Sequence, residues 1–456
     1  MVNRFPLEEN VLTGLRPTVQ ECEHVCGLAK RLLEAIARSG KAEGMVVGSI
    51  ARRTWVRGDR DLDVFMLFDP SLSRDALQAE GLALARSIAA AFTDNFHEKY
   101  AEHPYINASI EDVDVDLVPC YKVDSATNIQ SSVDRTPFHT RYITSRINGL
   151  IDDVLLLKQF TKAGGIYGSD QMTEGFSGYL CELLVLHYGG FTPLIKAAAS
   201  WRPGIVIDIE NHAAKKFDEP LVVIDPVDPK RNVAAAVSLD RMAGFVELAR
   251  GYNEKPVTEF FLHPMERCIL KKELASRIAQ RRTFVFAVTF ATPQYIPEIV
   301  VPQLKRSVSA IRELLERNGF AVHHASYDMQ SEECMILLEL LVGDLPALRR
   351  HLGPPLWNHT NADKFRKKHL AEHQSGPFIE DGRYVMEVPR EYQTAKSLLS
   401  SDALLSVSLG KHIRQSLEQG WTLHEGQECW KEAFAPFIAE FFEQCSPLTR
   451  IQRDKE

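Results

Sequence analysis

The stretch GSIARRTWVRGDRDLDVFMLF runs from Gly48 to Phe68 and decides the fold class of the chain. Its last six residues, DVFMLF, are apolar after the first, which predicts a buried strand. Asp61 and Asp63 stand at the start of this strand with one residue between them, so both carboxylates project from the same face. Two aspartates this close repel each other unless a cation lies between them, and Mg²⁺ prefers such hard oxygen ligands. The stretch therefore predicts a metal site on a strand.

A phosphate-binding turn is predicted just before that strand. MVVGS (45–49) indicates a short strand ending in Gly48-Ser49, and a helix is predicted from Ile50 to Trp55. A helix start offers free backbone N–H groups and a partial positive charge, and glycine lets the backbone approach a phosphate closely. Arg52 lies about one helical turn from Ser49 and can reach the same phosphates. With a magnesium site, this cradle predicts phosphoryl or nucleotidyl transfer assisted by two metal ions.

A third carboxylate would complete the metal site, and the segment DVDVDLV (112–118) offers three. Its strict alternation predicts a strand with Asp112, Asp114 and Asp116 on one face. Spacing alone does not choose among them. Asp59 precedes the first strand next to a glycine and suits a turn. An aspartate pair at a strand start can also be a solvated strand end, but the Gly-Ser turn upstream and the aspartate strand downstream favour a site.

Length and composition are those of an ordinary globular protein. The chain has 456 residues, of which 45% are hydrophobic and 25% charged. The formal net charge is −8, so any RNA-binding surface would have to be local. Hydrophobic periodicity predicts a mixed sheet with helices in 1–145, a mostly helical region in 146–265 and an α+β region in 266–456. We therefore expect an N-terminal catalytic domain followed by helical and α+β domains.

The individual elements follow from the same periodicities. Further helices are predicted over Thr18–Ser39, Ser73–Asn95, Ser238–Tyr252, 271–282 and Pro302–Asn318, and strands within Ile106–Val118 and at 283–290, 321–328 and 333–342. Residues 377–388 are predicted to form a hairpin, whereas 203–233 and Gly353–Trp357 are predicted to be loop or break.

Cysteine usage and the absence of targeting patterns bear on the compartment. The eight cysteines include no CxxC pair and do not indicate a disulfide framework. Cys22 and Cys26 with His24 would need two more ligands to hold a metal, so a helix position with small buried residues is the preferred interpretation. The first residues lack a signal-peptide pattern, and no stretch approaches the ~20 apolar residues of a membrane helix. We expect a cytoplasmic protein with reduced thiols and no membrane contact.

Gly48-Ser49 with Asp61-x-Asp63 is the nucleotidyltransferase signature shared with polymerase β and poly(A) polymerases. The chain more closely resembles the archaeal (class I) CCA-adding enzymes, tRNA nucleotidyltransferases that build the 3′-terminal CCA. The resembling segments run in order along the chain: VGSIARRTWVRGDRDLDVFMLF (47–68), AEHPY (101–105), VDLVPCYKV (115–123), SVDRTPFH (132–139), GIYG (165–168), GFSGYLCELL (175–184), VIDPVDPKRNVAA (223–235) and PFIEDGRY (377–384).

The resemblance implies an α+β multidomain fold with a polymerase β-like nucleotidyltransferase domain, a helical central domain and C-terminal α+β RNA-binding domains. It selects Asp116, in VDLVPCY, as the third carboxylate beside Asp61 and Asp63, and it implies two Mg²⁺ ions. Asp61 departs from the glutamate often found there, but both are hard monoanionic ligands. The nucleotide contacts implied by the family's motifs are Gly48, Ser49, Arg52, Thr136, His139, Lys158, Tyr167 and Arg231. The implied partners are CTP, ATP and the acceptor stem and elbow of tRNA, and a homodimer is left open.

Each implied contact also has a plain structural interpretation. His139 could cap a helix, Lys158 could extend from its apolar stripe to water, and Arg231 could be ordinary loop charge. Three basic clusters in the C-terminal half are candidates for RNA contact or solvated surface: Lys271, Lys272, Arg277, Arg281 and Arg282; Arg349 and Arg350; and Lys364, Arg366, Lys367 and Lys368.

Two classes of function compete with CCA addition. Another transferase with the same signature, such as a poly(A) polymerase or a small-molecule nucleotidyltransferase, would share the carboxylates. A small-molecule enzyme, however, would not need the long C-terminal α+β region with its basic patches. An inactive RNA-binding protein on the same fold is disfavoured by the intact aspartates. No GxxxxGKS or GxxxxGKT loop is present, which excludes a P-loop NTPase.

Overall fold

The structure, a computed structural model, describes residues 6–100, 104–263, 267–371 and 375–453. The chain divides into a first unit of residues 1–265 and 445–456 and a second unit of residues 266–444. The strands are β1 (Glu43–Val46), β2 (Asp61–Phe68), β3 (Phe96–Tyr100), β4 (Pro104–Ile110), β5 (Val113–Tyr121), β6 (Ile205–Ile207), β7 (Leu221–Asp225), β8 (Asp228–Asn232), β9 (Phe284–Ala291), β10 (Val322–Met329), β11 (Glu333–Leu340), β12 (Leu348–Pro355), β13 (Ser375–Glu380), β14 (Arg383–Pro389) and β15 (Thr422–Glu425).

The helices are α1 (Pro6–Leu15), α2 (Val19–Ser39), α3 (Gly48–Arg52), α4 (Arg74–Ala90), α5 (Thr136–Thr144), α6 (Ile151–Ala163), α7 (Gly178–Tyr188), α8 (Phe191–Ala198), α9 (Leu239–Glu254), α10 (Lys271–Arg281), α11 (Pro297–Arg317), α12 (His359–Lys368), α13 (Ala395–Leu399), α14 (Lys411–Gln419), α15 (Ala435–Phe442) and α16 (Pro447–Arg453).

A five-stranded mixed sheet carries the signature motif in the first unit. Its strand order is β1-β2-β5-β4-β3, and β2 pairs with β5 in parallel. Even-numbered residues of β2, such as Val64 and Met66, pack in a core with Leu28 of α2 and Leu77 of α4. The odd-numbered face therefore points away from these helices, and the aspartates of β2 lie on it. Helix α2 begins at a capping box in which Thr18 is the N-cap residue.

Apart from α3, the remaining helices of the first unit share one large apolar core with the small sheet β6-β7-β8. Helix α6 runs through the middle of this core, and its residues from 153 to 161 are all buried. A helix that is buried on all sides is apolar around most of its surface, which explains why the sequence of α6 is not amphipathic. The short helix α16, from the C-terminal end, packs in the same core through Ile451.

The second unit contains two antiparallel sheets of its own. The strand order of the first is β10-β11-β9-β15, and that of the second is β12-β14-β13. Strand β9 is apolar on both faces because Phe286 and Val288 pack in one core with α11 and α14, whereas Val285 and Ala287 pack in another with α10 and α15. The β-α-β-β order predicted from the sequence is therefore confirmed for β9, α11, β10 and β11.

Several predicted elements differ from those observed. The helix predicted from Ile50 to Trp55 is instead Gly48–Arg52, because Arg53 adopts the left-handed conformation (φ 60°) that ends it. The helix predicted over Ser73–Asn95 ends at Ala90, and the strand β3 that follows it was not predicted. Local periodicity does not mark this end, because Ala91-Phe92 continues the apolar pattern.

Two regions predicted to be loops contain strands. Residues 203–233 include β6, β7 and β8, and the predicted polar turn PVDPKRN contains β8. The break predicted at Gly353–Trp357 overlaps the end of β12. These strands are short or contain proline and charged residues, so their tertiary pairing rather than their propensity forms them. Among the described residues, no helix combines the length and the apolar character needed to cross a membrane.

Phe160 lies at the centre of the helical core of the first unit and is fully buried. Its ring is surrounded at centroid distances of 5.6 to 6.2 Å by five other rings, those of Phe191, Phe245, Tyr252, Phe260 and Phe261. We predict that Phe160→Ala lowers the free energy of unfolding by about 3–5 kcal/mol, because it removes a buried ring and leaves a cavity. Urea denaturation followed by circular dichroism measures this. Leu239→Ala, at a position 53% exposed, is the matched control, and equal losses in the two variants would contradict the prediction.

Candidate active site

Two aspartates face each other across the parallel pair β2 and β5. The register aligns Asp63 with Asp116 and Asp61 with Asp114, so all four lie on one face. Asp63 and Asp116 are partly buried, whereas Asp61 and Asp114 are exposed.

A side chain on the neighbouring strand β4 bridges the two candidate carboxylates of β5. Asn107 Nδ2 donates hydrogen bonds to Asp114 Oδ1 (2.6 Å) and to Asp116 Oδ1 (2.7 Å). The expectation that Asp112 shares this face is wrong, because Asp112 precedes β5 in a turn with φ 61°. The fold therefore leaves Asp114 and Asp116 as the carboxylates of β5 on this face.

The electrostatics of this face favour a cation. Burial and the negative charge of Asp116 together raise the pKa of Asp63 to about 6, although Arg52 acts to lower it. Burial also raises the pKa of Asp116. For Asp61, whose residue as a whole is exposed, desolvation of the carboxyl group together with the charges of Asp59 and Asp114 raises the pKa. Carboxylates held together in partly buried surroundings are relieved by a positive ion, and their hard oxygen atoms fit a divalent cation.

The complete ligand set is not assembled in the structure. In the part of the chain that is described, no three histidine, cysteine, aspartate or glutamate side chains are close enough to form a ready metal cage. The assignment of Asp61, Asp63 and Asp116 as metal ligands therefore stays a prediction. The chemistry of the donor atoms fits it, since all three are carboxylates on one face of the sheet.

Gly48 lies directly against the carboxylate of Asp63. It has φ +70°, and a Cβ atom at this position would lie 1.9 Å from Asp63 Oδ2. The backbone is fixed there because Val47 N donates to Asp63 O over 3.0 Å. Any side chain would displace the carboxylate, so this position requires glycine for close approach as well as for its conformation. Ser49 follows on α3 and is partly buried.

Arg52 is held by a buried carboxylate that was not singled out in the sequence. Its Nε donates to Glu182 Oε1 on α7 over 2.9 Å, and the hydroxyl of Thr54 donates to the same oxygen. Glu182 is fully buried, and within the described residues its Oε2 has no hydrogen-bond partner. Arg52 itself is only 8% exposed. The signal in the sequence is an acid within the apolar run YLCELLVL, which indicates a paired buried charge.

Lys158 lies beside this group and does not extend to water. It is 3% exposed, and its Nζ donates to the carbonyl oxygen of Thr54 over 2.6 Å. Burial lowers the pKa of Lys158, and the negative charge of Glu182 partly offsets this. Tyr167 is close to it, because a Cβ atom on Gly178 would lie 3.1 Å from the Tyr167 hydroxyl and 3.4 Å from Lys158 Cε. The structure thus brings two of the implied nucleotide contacts together.

His139 and Arg231 meet at a second buried carboxylate, Asp225 at the end of β7. His139 Nε2 and Arg231 Nη1 contact Asp225 Oδ2 at 2.9 and 2.8 Å. The Tyr179 hydroxyl donates to Asp225 Oδ1, and the Tyr179 ring stacks on His139 with a centroid distance of 4.1 Å. Arg231 lies on strand β8 and not in a loop, and His139 lies inside α5 rather than capping it. Asp225 and Tyr179 were not singled out in the sequence, although both lie in the resembling segments.

Burial and hydrogen bonding act in opposite directions on the pKa values of Asp225 and His139. Burial acts to raise the pKa of Asp225, but the hydrogen bond from His139 and the positive charge of Arg231 outweigh it and hold the pKa at about 2. Burial lowers the pKa of His139 and the Asp225 carboxylate partly restores it. Asp225 is therefore ionised at neutral pH.

A cleft of about 760 Å³ opens beside Arg231. Its lining includes Arg135, Ser177, Lys215, Lys230 and Arg231, together with the ring of Phe217. Arg135 Nε pairs with Asp228 over 2.9 Å, which joins the residue preceding α5 to β8 at the edge of the cleft. Thr136, the first residue of α5, follows Arg135 and is partly buried. A cleft with cations and an aromatic ring suits a nucleotide.

Many cations of the second unit are paired with carboxylates. On α10, Lys271, Arg277 and Arg281 contact Glu428, Glu443 and Glu339. Arg349 and Arg350 line a cleft of about 950 Å³ together with Arg317 and Arg390. In the first unit, Cys22 and Cys26 lie on α2, and His24 Nε2 contacts the Glu111 carbonyl oxygen instead of a metal-ligand cluster.

The raised pKa of Asp63 predicts that its charge destabilises the metal-free fold. A carboxyl group whose pKa is higher in the folded state than in the unfolded state destabilises the fold when it ionises. For Asp63 this loss of stability develops as the pH rises from about 4 to about 6, and it is complete above that range. We predict that Asp63→Asn raises the free energy of unfolding at about pH 8 by up to about 3 kcal/mol, and that the gain shrinks towards about pH 4.5. Urea denaturation in the presence of a chelator measures this.

The control for that experiment is Asp69→Asn, at an exposed turn where the hydrogen bond from Ser71 lowers the pKa of the carboxyl. This variant should show no gain at about pH 8. A lower stability of Asp63→Asn than of the wild-type chain at that pH would contradict the prediction.

Comparisons with known proteins identify the family to which the chain belongs. Residues 28–139 match the family model of the nucleotidyltransferase domain, 152–262 that of the tRNA nucleotidyltransferase second domain, and 281–426 that of the CCA-adding enzyme C-terminal domain. The CCA-adding enzyme of Methanoregula boonei is 67% identical over 456 residues, which are 100% of this chain and 99% of that protein. The CCA-adding enzyme of Methanosarcina barkeri is 41% identical over 91% of this chain and 92% of that protein.

A third relative is also a CCA-adding enzyme. The CCA-adding enzyme of Haloarcula marismortui is 39% identical over 88% of this chain and 90% of that protein. The predicted multidomain α+β fold with an N-terminal nucleotidyltransferase domain is confirmed by the family matches and the mixed sheet. The identity extends over the whole chain and not only over the signature motif. The chain therefore belongs to the family of archaeal CCA-adding enzymes.

Proposed function

We propose that this chain adds CCA to the 3′ end of tRNA without a nucleic-acid template, using CTP and ATP. The 3′-hydroxyl of the tRNA attacks the α-phosphate of the nucleotide, a P–O bond forms, and pyrophosphate leaves. The observation that carries the proposal is the 67% identity, over the full length, to a protein named CCA-adding enzyme. The parallel alignment of Asp63 with Asp116 supports it, because nucleotidyl transfer needs facing carboxylates.

Asp61, Asp63 and Asp116 are the residues that would hold the divalent ions, which we propose to be two Mg²⁺. When bound, these ions lower the pKa of the attacking hydroxyl and neutralise the triphosphate and leaving pyrophosphate. Asn107 orients the Asp116 carboxylate through its hydrogen bond, and Gly48 leaves room for the Asp63 carboxylate. The residues thus keep the acids on one face before any ligand binds.

The nucleotide is proposed to lie between the aspartate face and the cleft beside Arg231. Gly48, Ser49 and Arg52 are proposed to contact its triphosphate, with Lys158 and Tyr167 nearby. His139, Thr136 and Arg231 would contact the rest of the nucleotide, and Arg231 would help to select the base. The support for this arrangement is that Arg52, Lys158, His139 and Arg231 all lie in the first unit, where α3 packs against α5. Arg52 and Lys158 contact Glu182 and the neighbouring Thr54, respectively, whereas His139 and Arg231 contact Asp225.

The second unit is proposed to contact the acceptor stem and elbow of tRNA. Its cleft is lined by Arg317, Arg349, Arg350 and Arg390, which offer cations for backbone phosphates. Arg350 also pairs with Glu380, and the glutamates Glu313, Glu316 and Glu391 line the same cleft. The helix α12 adds Arg366, Lys367 and Lys368 in its last turn. We place the enzyme in the cytoplasm, where its substrate tRNA would be, and a homodimer stays a prediction.

The proposal predicts a defined product length. Incubation of the purified chain with tRNA lacking CCA, labelled CTP, ATP and Mg²⁺ should extend the tRNA by three nucleotides, C, C and A. Gel electrophoresis at single-nucleotide resolution measures the length. Open-ended addition of A would instead indicate a poly(A) polymerase, and an unchanged tRNA that still binds the chain would indicate an inactive RNA-binding protein.

Removal of a central carboxylate should stop the chemistry. We predict that Asp63→Ala lowers the rate of incorporation by on the order of 1,000-fold, because the divalent ions lose a ligand and with it several kcal/mol of transition-state stabilisation. Filter binding should show nearly unchanged tRNA affinity. Asp112→Asn, a carboxylate outside the strand face, is the matched control and should keep its activity. Turnover of Asp63→Ala close to that of the control would refute the assignment.

The glycine that lies against Asp63 offers a second test. Gly48→Ala should lower the rate of incorporation by about 100-fold or more, because the new methyl group overlaps Asp63 Oδ2 and moves a carboxylate that must be placed to within about an ångström. Gly58→Ala is the matched control: its φ is +87°, but open space surrounds the added methyl group. It should lose stability and keep its activity. Equal activity losses in the two variants would show that backbone strain, and not the clash, is responsible.

A further inference from the structure

Asp225 is a fully buried carboxylate whose hydrogen-bond partners include two of the residues proposed to contact the nucleotide. Its Oδ2 accepts from His139 Nε2 at 2.9 Å and from Arg231 Nη1 at 2.8 Å. Its Oδ1 accepts from the Tyr179 hydroxyl at 3.3 Å and from the backbone N–H of Val227 at 3.1 Å. Each oxygen therefore accepts two hydrogen bonds, which is the full capacity of a carboxylate.

This arrangement fixes the state of the histidine ring. An ionised carboxylate can only accept hydrogen bonds, so the ring nitrogen that faces Asp225 must carry the proton. His139 is thereby held as the Nε2–H tautomer, with the ring stacked against Tyr179. A histidine whose tautomer and ring plane are both fixed presents its other nitrogen in one defined way.

The same carboxylate also restrains the long, partly exposed side chain of Arg231. The Arg231 side chain is 37% exposed and lines the cleft, whereas its partner Asp225 is fully buried. Only Nη1 of the guanidinium is engaged by Asp225, so its other N–H groups remain available for a ligand in the cleft. A long arginine side chain loses much rotamer freedom on binding, and an anchor that fixes it beforehand lowers this cost.

We propose that Asp225 is a positioning residue that holds Arg231 and His139 in place for the incoming nucleotide. This role rests on the proposed function of the site. Asp225 acts through these two side chains and does not itself touch the nucleotide. Its loss should therefore weaken nucleotide binding more than it slows the chemical step, because the carboxylates of β2 and β5 stay in place.

An asparagine cannot make all four of these hydrogen bonds. If the amide oxygen faced His139 and Arg231, the amide NH₂ would face the Val227 N–H, so a donor would meet a donor, whereas the Tyr179 hydroxyl could turn and accept. In the opposite orientation the NH₂ group would face the Arg231 guanidinium, which can only donate. In either orientation Asp225→Asn loses at least one hydrogen bond and the negative charge opposite Arg231, while it conserves volume.

The experiment measures KM and kcat separately for CTP, with tRNA lacking CCA, and for ATP, with tRNA lacking only the final A. Asp225→Asn should raise both KM values by about 10-fold or more and change kcat by less than about 3-fold, since the variant removes the negative charge that holds Arg231 and at least one of the four hydrogen bonds. Calorimetric titration of CTP into the protein without tRNA should show the same loss of affinity. Unchanged KM values and an unchanged CTP affinity would overturn the proposal.

The matched control is Asp153→Asn, another buried carboxylate of the first unit, which accepts from the backbone N–H of Phe191. It should lower the thermal stability and leave both KM values unchanged. If it raised them as much as Asp225→Asn did, the effect would be general destabilisation and the proposal would fail. Tyr179→Phe keeps the stacked ring and removes only the hydroxyl bond to Asp225, so it tests the same role if Asp225→Asn does not fold. It should raise the KM values in the same direction by a smaller factor.

A double-mutant cycle separates action through Arg231 from an independent effect. In the Arg231→Ala background, most of the about 10-fold effect of Asp225→Asn on the CTP KM should disappear, because the residue that Asp225 holds is absent. Effects that multiply in full would overturn the proposal.

Failure of the proposed function is distinguishable from failure of this inference. If the wild-type chain does not extend tRNA, the proposed function fails and the CTP titration alone tests Asp225. If the wild-type chain extends tRNA and Asp225→Asn behaves like the wild type, only the inference fails.

Discussion

The parallel pairing of β2 with β5 is the constraint on which the rest of the first unit depends. It sets Asp63 opposite Asp116 on the sheet face that α2 and α4 do not cover. Both carboxylates are partly buried, so their charges are not fully hydrated, and burial raises both pKa values. Such an arrangement costs stability in the absence of a cation, and proteins retain it where the cation has a function.

Charges of opposite sign alternate among other residues of the first unit. Arg52 and Lys158 lie beside the buried carboxylate Glu182, and Arg231 pairs with the buried carboxylate Asp225, to which His139 also donates. Each buried carboxylate pairs with a cation, which lowers the cost of burying both. A bound triphosphate with its divalent ions would add further alternating negative and positive charges beside these residues. Helices α6 and α7, which carry Lys158 and Glu182, therefore contribute to the electrostatics of a site whose acids lie on the sheet.

The central motif was predictable because its geometry is local. A strand with alternating side chains fixes the relation of Asp61 to Asp63, and the β5 pattern fixes Asp114 and Asp116 on one face. The position of Asp112 was not predictable from alternation, because the turn that precedes β5 interrupts the period at Glu111 and Asp112, both of which have positive φ. The strand β8 was missed for a related reason: DPKRN is polar, and only pairing with β7 makes it a strand.

The pairing of the buried carboxylates Glu182 and Asp225 could not be predicted from the sequence for a different reason. Glu182 lies 130 residues from Arg52 along the chain, and Asp225 lies 86 residues from His139. No periodicity relates positions so far apart, and only the packed fold brings them together. What the sequence did offer was an acid in an apolar run at each position, LCELLVL and LVVID, and a buried acid requires a partner. A search for charged residues inside apolar runs would therefore have found both anchors, although it could not have named the cations they hold. The resemblance could therefore indicate Arg52, His139 and Arg231 as expected nucleotide contacts, but only the structure shows which buried carboxylates hold these side chains in place.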